Sequence, residues 1–247
     1  MANATFTGTA AKDAPIFGVF SALDGARRVG DAELGDLMQL TGENLGCERG
    51  GRQVFRGVSF SVAGGEALLV TGRNGAGKSS LLRMIAGLVR VAGGTLLLAG
   101  GEPEAGIGEQ AHYLGHLDAL KTALTVRENL RFWVEFLGAD EAGMAPALAA
   151  VDLASLADLP AAYLSAGQRR RLSIARLVAV KRPLWLLDEP TSALDAGSQT
   201  RLAELMRSHL GGGGLIVAAT HGGIGLEGAR ELSLSPSPLV GEGSGGG

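Results

Sequence analysis

Cysteine is nearly missing from this sequence: Cys47 is the one thiol in 247 residues. That excludes an internal disulfide framework and a multi-thiolate zinc site, and it fits a reducing compartment. Set in LTGENLGCER, Cys47 reads as a small strand residue. No C-x-x-C-H occurs, so haem is not covalently attached to this chain. Long apolar runs are missing too. The longest fall far short of the roughly 20 residues needed to cross a bilayer, so the chain is not expected to span a membrane by itself. Positive charge is not in excess: the net charge is -3, which leaves no basic field for a nucleic-acid backbone, and no nucleic-acid partner is expected. There is no internal repeat.

What is present is material for a core, 46% hydrophobic residues in a chain long enough for one large domain or a compact pair of lobes. Residues 1–37 are rich in Ala, Gly and Asp without a sustained period and carry no apolar core of signal-peptide type. They read as an accessory or disordered extension. Arg27-Arg28 is not followed by an apolar segment, which argues against twin-arginine export. Met38 directly precedes the first ordered pattern, raising the hypothesis that the natural start is there; an intact Met1 or Ala2 terminus on the native protein would refute it. Residues 236–247 are low-complexity and expected to be a disordered tail.

Between these ends, QLTGENLGCER, QVFRGVSFSV (alternating at Val58, Phe60 and Val62) and EALLVTG read as strands, with Gly64-Gly65 as a hairpin signal between the last two. Next, Gly72-Arg73-Asn74-Gly75-Ala76-Gly77-Lys78-Ser79 satisfies G-x-x-x-x-G-K-[ST]. It lies between the apolar run Ala67 to Val70 and a helical pattern starting at Lys78, the strand-loop-helix context of a P-loop. The glycines let the backbone curl with its N–H groups inward, so that the turn and the positive end of the helix cradle a polyphosphate. The expected ATP-binding set is Gly72, Asn74, Gly75, Ala76, Gly77, Lys78, Ser79 and Ser80. Lys78 is placed on the β- and γ-phosphates and Ser79 on Mg²⁺.

The helix is expected to run from Lys78 to Val89, with Leu81, Leu82, Ile85 and Leu88 on its apolar face and Arg83 opposite. TLLLAG then reads as a short buried strand, and AHYLG, Ala111 to Gly115, as another. Thr125 with Glu128 makes a capping box, and Val126, Leu130, Trp133 and Leu137 recur at helical spacing. Phe132 and Phe136 stand beside them and, with Trp133, are read as core rather than as a docking face. A weaker helical segment covers about Ala147 to Leu156, making Thr125 to Leu164 a helical insertion. Gln168 to Val180 reads as a helix with an arginine-rich exposed face, PLWLLDE as a buried strand, Ser198 to Leu210 as a helix and GLIVAAT as a buried strand. Such alternation implies parallel strands covered by helices. At the end of LWLLDEP, where a parallel sheet presents its ligands, Asp188 suits a Mg²⁺ shell, and Glu189 is the candidate to polarise an attacking water.

A resemblance extends these readings. Leu164-Ser165-Ala166-Gly167-Gln168 resembles LSGGQ, the signature of ABC-type ATPases, with alanine in place of the first glycine, and RRRLSIAR follows it. Ser192-Ala193-Leu194-Asp195 resembles that family's D-loop, and His221, just after GLIVAAT, falls where the family has its switch histidine. With the P-loop and the acidic pair, these motifs stand in family order over residues 39 to about 235. The resemblance implies an α/β fold, a P-loop NTPase of ABC type. Its core would be a mainly parallel sheet, with an antiparallel β subdomain and a helical subdomain at about residues 117–165 inside an ATPase domain spanning 38–235. It implies ATP hydrolysis with ATP and Mg²⁺ as cofactors and Glu189, His221 and Lys78 as the catalytic set. It also implies a head-to-tail homodimer in which Ser165, Ala166, Gly167 and Gln168 complete the nucleotide pocket of the opposite subunit. The physical reason is that Ser165 and the N–H groups from Gly167 onward open a helix, a second anion site.

Two positions depart from the family pattern. The place of the Q-loop glutamine is held by His116, in YLGHLDALK, whose charge depends on pH. Near Arg49, where many members stack an aromatic on adenine, there is none; Arg49 can stack as a planar cation, or base recognition is loose. CERGGRQVFRGVSFSV, YLGHLDALKTALTVRENLRF and LSAGQRRRLSIARL closely resemble the ATP-binding subunit family of the haem exporter of cytochrome c maturation. That likeness implies separate transmembrane permease subunits, a peripheral place at the cytoplasmic face of the bacterial inner membrane, and ATP hydrolysis driving a step in haem delivery. A subunit for another exported substrate and a soluble ABC-type assembly ATPase stay open.

Overall fold

The computed structural model describes residues 38–235; the expectations for residues 1–37 and 236–247 concern positions outside that range. Eight strands run β1 (Gln39–Arg49), β2 (Arg52–Ala63), β3 (Ala67–Thr71), β4 (Gly93–Ala99), β5 (Ala111–Leu114), β6 (Leu184–Asp188), β7 (Leu215–Ala219) and β8 (Arg230–Ser233). The α-helices are α1 (Lys78–Ile85), α2 (Val126–Phe136), α3 (Met144–Ala150), α4 (Ala166–Ala179) and α5 (Ala196–Gly211). A three-stranded sheet has the order β2-β1-β4, and a five-stranded sheet the order β5-β6-β7-β3-β8. The first is antiparallel and every pair in the second is parallel.

The parallel sheet is built from runs with no polar face. In β6 and β7 every residue is buried, as strands covered on both sides require. Alternate residues serve different cores. Trp185, Leu187, Ile216 and Ala218 pack with α2, α3 and α4, whereas Leu184, Leu186, Leu215 and Val217 pack with α1 and the antiparallel sheet. Each fully buried leucine here contributes about 1.5–3 kcal/mol.

The hairpin expected at Gly64-Gly65 is not formed. β2 pairs with β1, from Gln39↔Ala63 to Arg49↔Arg52, and the tight turn is Gly50-Gly51, at φ 57° and 74°. The Gly64-Gly65 turn passes the chain between sheets, because the apolar run Ala67 to Val70 of β3 sits between β7 and β8 while the alternating β2 suits an edge.

Other expectations also change. The first helix stops at Ile85; Gly87 takes φ 73°, the Leu88 N–H turns back to the Arg83 carbonyl, and Leu88 is 65% exposed rather than on the buried face. TLLLA forms the edge strand β4 instead of a buried one, with Leu97 62% exposed. The capping box at Thr125 is present, the Glu128 N–H donating to the Thr125 hydroxyl and the Glu128 carboxylate accepting from the Thr125 N–H. Phe132 and Phe136, read as core, are exposed and stacked on each other, and Trp133 packs inward against Arg176. The segment expected to be helical over Ala147–Leu156 begins earlier, as α3, and ends in a separate 3₁₀ turn at Ala154–Leu156. On α4 the arginine face is not uniformly exposed: Arg170 and Arg176 are buried.

Candidate functional site

The carboxyl ends of β3 and β6 and the start of α1 open onto a cleft of about 570 Å³, lined among others by Asn74, Gly75, Gly77, Lys78, Ser79 and Ser80. Asp188, Glu189, His221, His116 and Arg49 complete its wall. Of the expected phosphate-loop set, Gly72 and Ala76 do not line it. Ala76 is in the core, and Gly72, at φ 134°, lets the loop pass Leu234, whose carbonyl oxygen would lie 2.3 Å from an added β-carbon. Gly77 caps α1 at φ 99°, with no side chain accepting from the helix's first N–H groups. The start of the helix is thus left open toward the cleft.

Lys78 crosses the loop: its Nζ donates to the Gly72 carbonyl at 2.9 Å and stands 3.1 Å from His221 Nε2. The Ser79 hydroxyl donates to Asp188 Oδ1 at 3.0 Å, bringing together two hard oxygen donors from residues far apart in sequence. Glu189 follows at φ 48°, a left-handed conformation rarely populated outside glycine, with its carboxylate 3.7 Å from His221 Nε2. A cation in the curl of the loop, hydroxyl and carboxylate oxygens side by side, and a second carboxylate next to an imidazole can hold a metal-bound polyphosphate and act on a water beside it.

The motif resembling LSGGQ is elsewhere. Ser165 caps α4, its hydroxyl accepting from the Gln168 N–H at 3.2 Å while its own N–H donates to Gln168 Oε1 at 2.8 Å. None of Ser165, Ala166, Gly167 and Gln168 lines the cleft, and Ser165 and Ala166 are exposed. Asp195 caps α5 by accepting from the Ser198 N–H at 2.8 Å, and that hydrogen bond holds its carboxyl below the usual range.

Two side chains missed by the sequence reading, Tyr113 and Arg170, support the site. The Tyr113 hydroxyl, 3.5 Å from Asp188 Oδ2, accepts from Arg83 Nε at 3.1 Å, and burial pushes its pKa up, keeping it a neutral donor toward Asp188. Arg170 donates to the carbonyls of Asp188 and Glu189 at 3.0 and 2.7 Å; burial lowers its pKa, and Asp118 opposes that shift. The sequence did carry a signal for it. Arg170, Ile174 and Leu177 share one helical phase, the buried one.

The ABC transporter family model matches residues 55–192. The chain belongs to that family, a class of ATP-binding proteins whose members hydrolyse ATP in coupling to transport. Within it, the chain is 61% identical over 197 residues to the cytochrome c biogenesis ATP-binding export protein CcmA of Rhodopseudomonas palustris (strain BisB5), covering 80% of this chain and 98% of the relative. Identity and coverage are the same for the protein so named from Nitrobacter winogradskyi. Among solved structures, an ATP-binding subunit of an ABC transporter aligns at TM-score 0.67 and 27% identity, over 74% of this chain and 79% of that one. A bacterial Atm1-family ABC exporter with ATP bound aligns at TM-score 0.70 over 81% of this chain and 37% of that one; at 22% identity it supports the fold alone. Among the described residues no helix is long and apolar enough to cross a membrane.

Proposed function

We propose that this ATPase is the energy-coupling subunit of an exporter in cytochrome c biogenesis, acting as a head-to-tail pair of copies beneath separate membrane-spanning subunits at the cytoplasmic face of the bacterial inner membrane, with haem delivery as the step it drives. The export role rests on likeness to the CcmA proteins, which spans nearly their whole length. The observation that carries the mechanism is the meeting of Lys78, Ser79, Asp188, Glu189 and His221 in one cleft while Ser165 is exposed away from it.

In this reading Lys78 and the N–H groups at the start of α1 bind the β- and γ-phosphates, with Asn74, Gly75, Gly77 and Ser80 shaping the wall. Ser79 Oγ and Asp188, a hard-oxygen pair already in contact at 3.0 Å, would hold Mg²⁺. Bound there, the ion supplies charge neutralisation for phosphoryl transfer. Glu189 takes the proton of the attacking water, and His221 bridges that water and the γ-phosphate. The signature of a second copy, led by Ser165, closes the pocket over the nucleotide. His116 lines the same cleft in place of the family's glutamine and contacts the water or metal shell.

The exposed Phe132 and Phe136 face supports a membrane-subunit partner. Gentle solubilisation of native membranes and mass spectrometry of the complex test the whole: two copies of this chain with membrane-spanning subunits are expected, and recovery from the soluble fraction without any would reject the exporter role.

A further inference from the structure

Arg170 lies near the start of α4, and its side chain is only 3% exposed. Its guanidinium meets main-chain carbonyls more than carboxylates. Nη2 donates to the oxygens of Asp188 at 3.0 Å and Glu189 at 2.7 Å, Nε to that of Pro190 at 3.4 Å, and Nη1 to that of Gly115 at 2.8 Å. Asp118, its ion-pair partner, stands 3.4 Å from Nη1 with a side chain 25% exposed. Five N–H groups in a rigid plane are what such a set of oxygens requires, and a lysine ammonium cannot fork across it.

The segment so held carries backbone strain. At φ 48° Glu189 occupies a region unfavourable for a non-glycine residue, which persists only where its surroundings impose it. The Glu189 N–H donates to the Ala219 carbonyl at 2.9 Å, and its own carbonyl accepts from the Ser192 N–H at 3.1 Å as well as from Arg170. Gly115, gripped by the same guanidinium, directly precedes His116 in the wall of the cleft.

We propose that Arg170 is a positioning residue for hydrolysis: by holding the carbonyls of Asp188, Glu189 and Pro190 it fixes the left-handed turn that aims the Glu189 carboxylate into the cleft, and through Gly115 it ties the loop bearing His116 to that turn. The inference rests on the reading of Glu189 as the group that takes the proton from water. It gives Arg170 no contact with the nucleotide, so its loss acts on turnover and spares binding.

The test uses the full-length chain in complex with its co-purifying membrane subunits, carrying Arg170→Lys, Arg170→Gln, Asp118→Asn or Glu189→Gln. Steady-state hydrolysis of Mg-ATP is measured alongside thermal unfolding. Both Arg170 variants are expected to lower kcat by about 10- to 100-fold, the penalty for a misplaced catalytic group, with KM within about threefold of wild type. Asp118→Asn leaves the carbonyl contacts in place and stays within about threefold in kcat. Added to Glu189→Gln, Arg170→Gln costs little more, because the two act as one unit. Near-wild-type kcat for Arg170→Lys, beside a collapsed Glu189→Gln, would overturn this proposal and leave the reading of Glu189 standing. An Asp118→Asn defect as deep as that of the Arg170 variants would make charge pairing the role, and unfolding of both Arg170 variants would assign the residue to the fold; either overturns it. Full turnover in Glu189→Gln would overturn both readings together.

Discussion

Two helix starts in this chain are wired in opposite ways. α1 begins at Gly77, in a left-handed conformation, with no side chain accepting from its first N–H groups and no acidic residue in its first turn. α4 begins at Ser165, whose hydroxyl and N–H form a closed capping box with Gln168. In the proposed reading the first start, left uncapped, serves as an anion cradle, whereas the second is already capped in the free chain. For Ser165 to reach a phosphate, the box has to loosen, at a cost near the ~1 kcal/mol such caps supply. In this account the open end therefore binds nucleotide in a single copy, and the closed end engages only when a second copy brings phosphate to it.

The comparison can be broken most severely at the open end. Lys78→Ala removes the cation that crosses the loop and is expected to weaken ATP binding by about 30-fold or more, on the roughly 2–5 kcal/mol scale of a lost charged contact. A fluorescent-nucleotide titration reads it, and unchanged affinity would show that the cradle needs no lysine. A glycine in each motif gives the next contrast. A β-carbon on Gly77 meets Phe55 Cδ1 at 2.7 Å and Val54 Cγ1 at 2.8 Å at a positive φ, whereas one on Gly167 meets just the Ala193 carbonyl oxygen, at 3.0 Å. Gly77→Ala should lower stability by about 2–3 kcal/mol in urea unfolding, and Gly167→Ala by no more than about 1 kcal/mol. Equal losses would erase the distinction between the two turns. Ser165→Ala should have the smallest effect on the free chain, about 1 kcal/mol of stability and no change in ATP affinity, while hydrolysis by paired copies falls. A drop in single-copy affinity would mean that the closed end already touches nucleotide.

Much of this arrangement was legible because its determinants are local. The Gly77-Lys78-Ser79 turn, the capping box at Thr125, and the apolar runs that become the buried β6 and β7 are each written within a few residues, and each forms where the pattern put it. What was not legible depends on distant partners. Gly64-Gly65 has the composition of a hairpin turn, and only the competition between sheets for β3 decides that it is a crossing. Leu88 has the phase of the α1 core face, but Gly87 ends the helix before that phase is used. Arg170 looked solvated because arginine usually is; carbonyls contributed by the far end of β6 and by Gly115 make its burial affordable. Phe132 and Phe136 were assigned to the core by composition, but α2 turns only Val126, Asn129, Leu130 and Val134 fully inward.

The central claim is that ATP is held between the open helix end of one copy and the closed end of another. Its most direct measurement is the structure of the Glu189→Gln protein loaded with ATP and Mg²⁺ in complex with its membrane subunits. The account predicts the triphosphate lying against Lys78 and the start of α1 in one copy, with Ser165 of the partner subunit within hydrogen-bonding distance of the γ-phosphate. A triphosphate bound at Lys78 with no signature residue of a second copy near it would contradict the account.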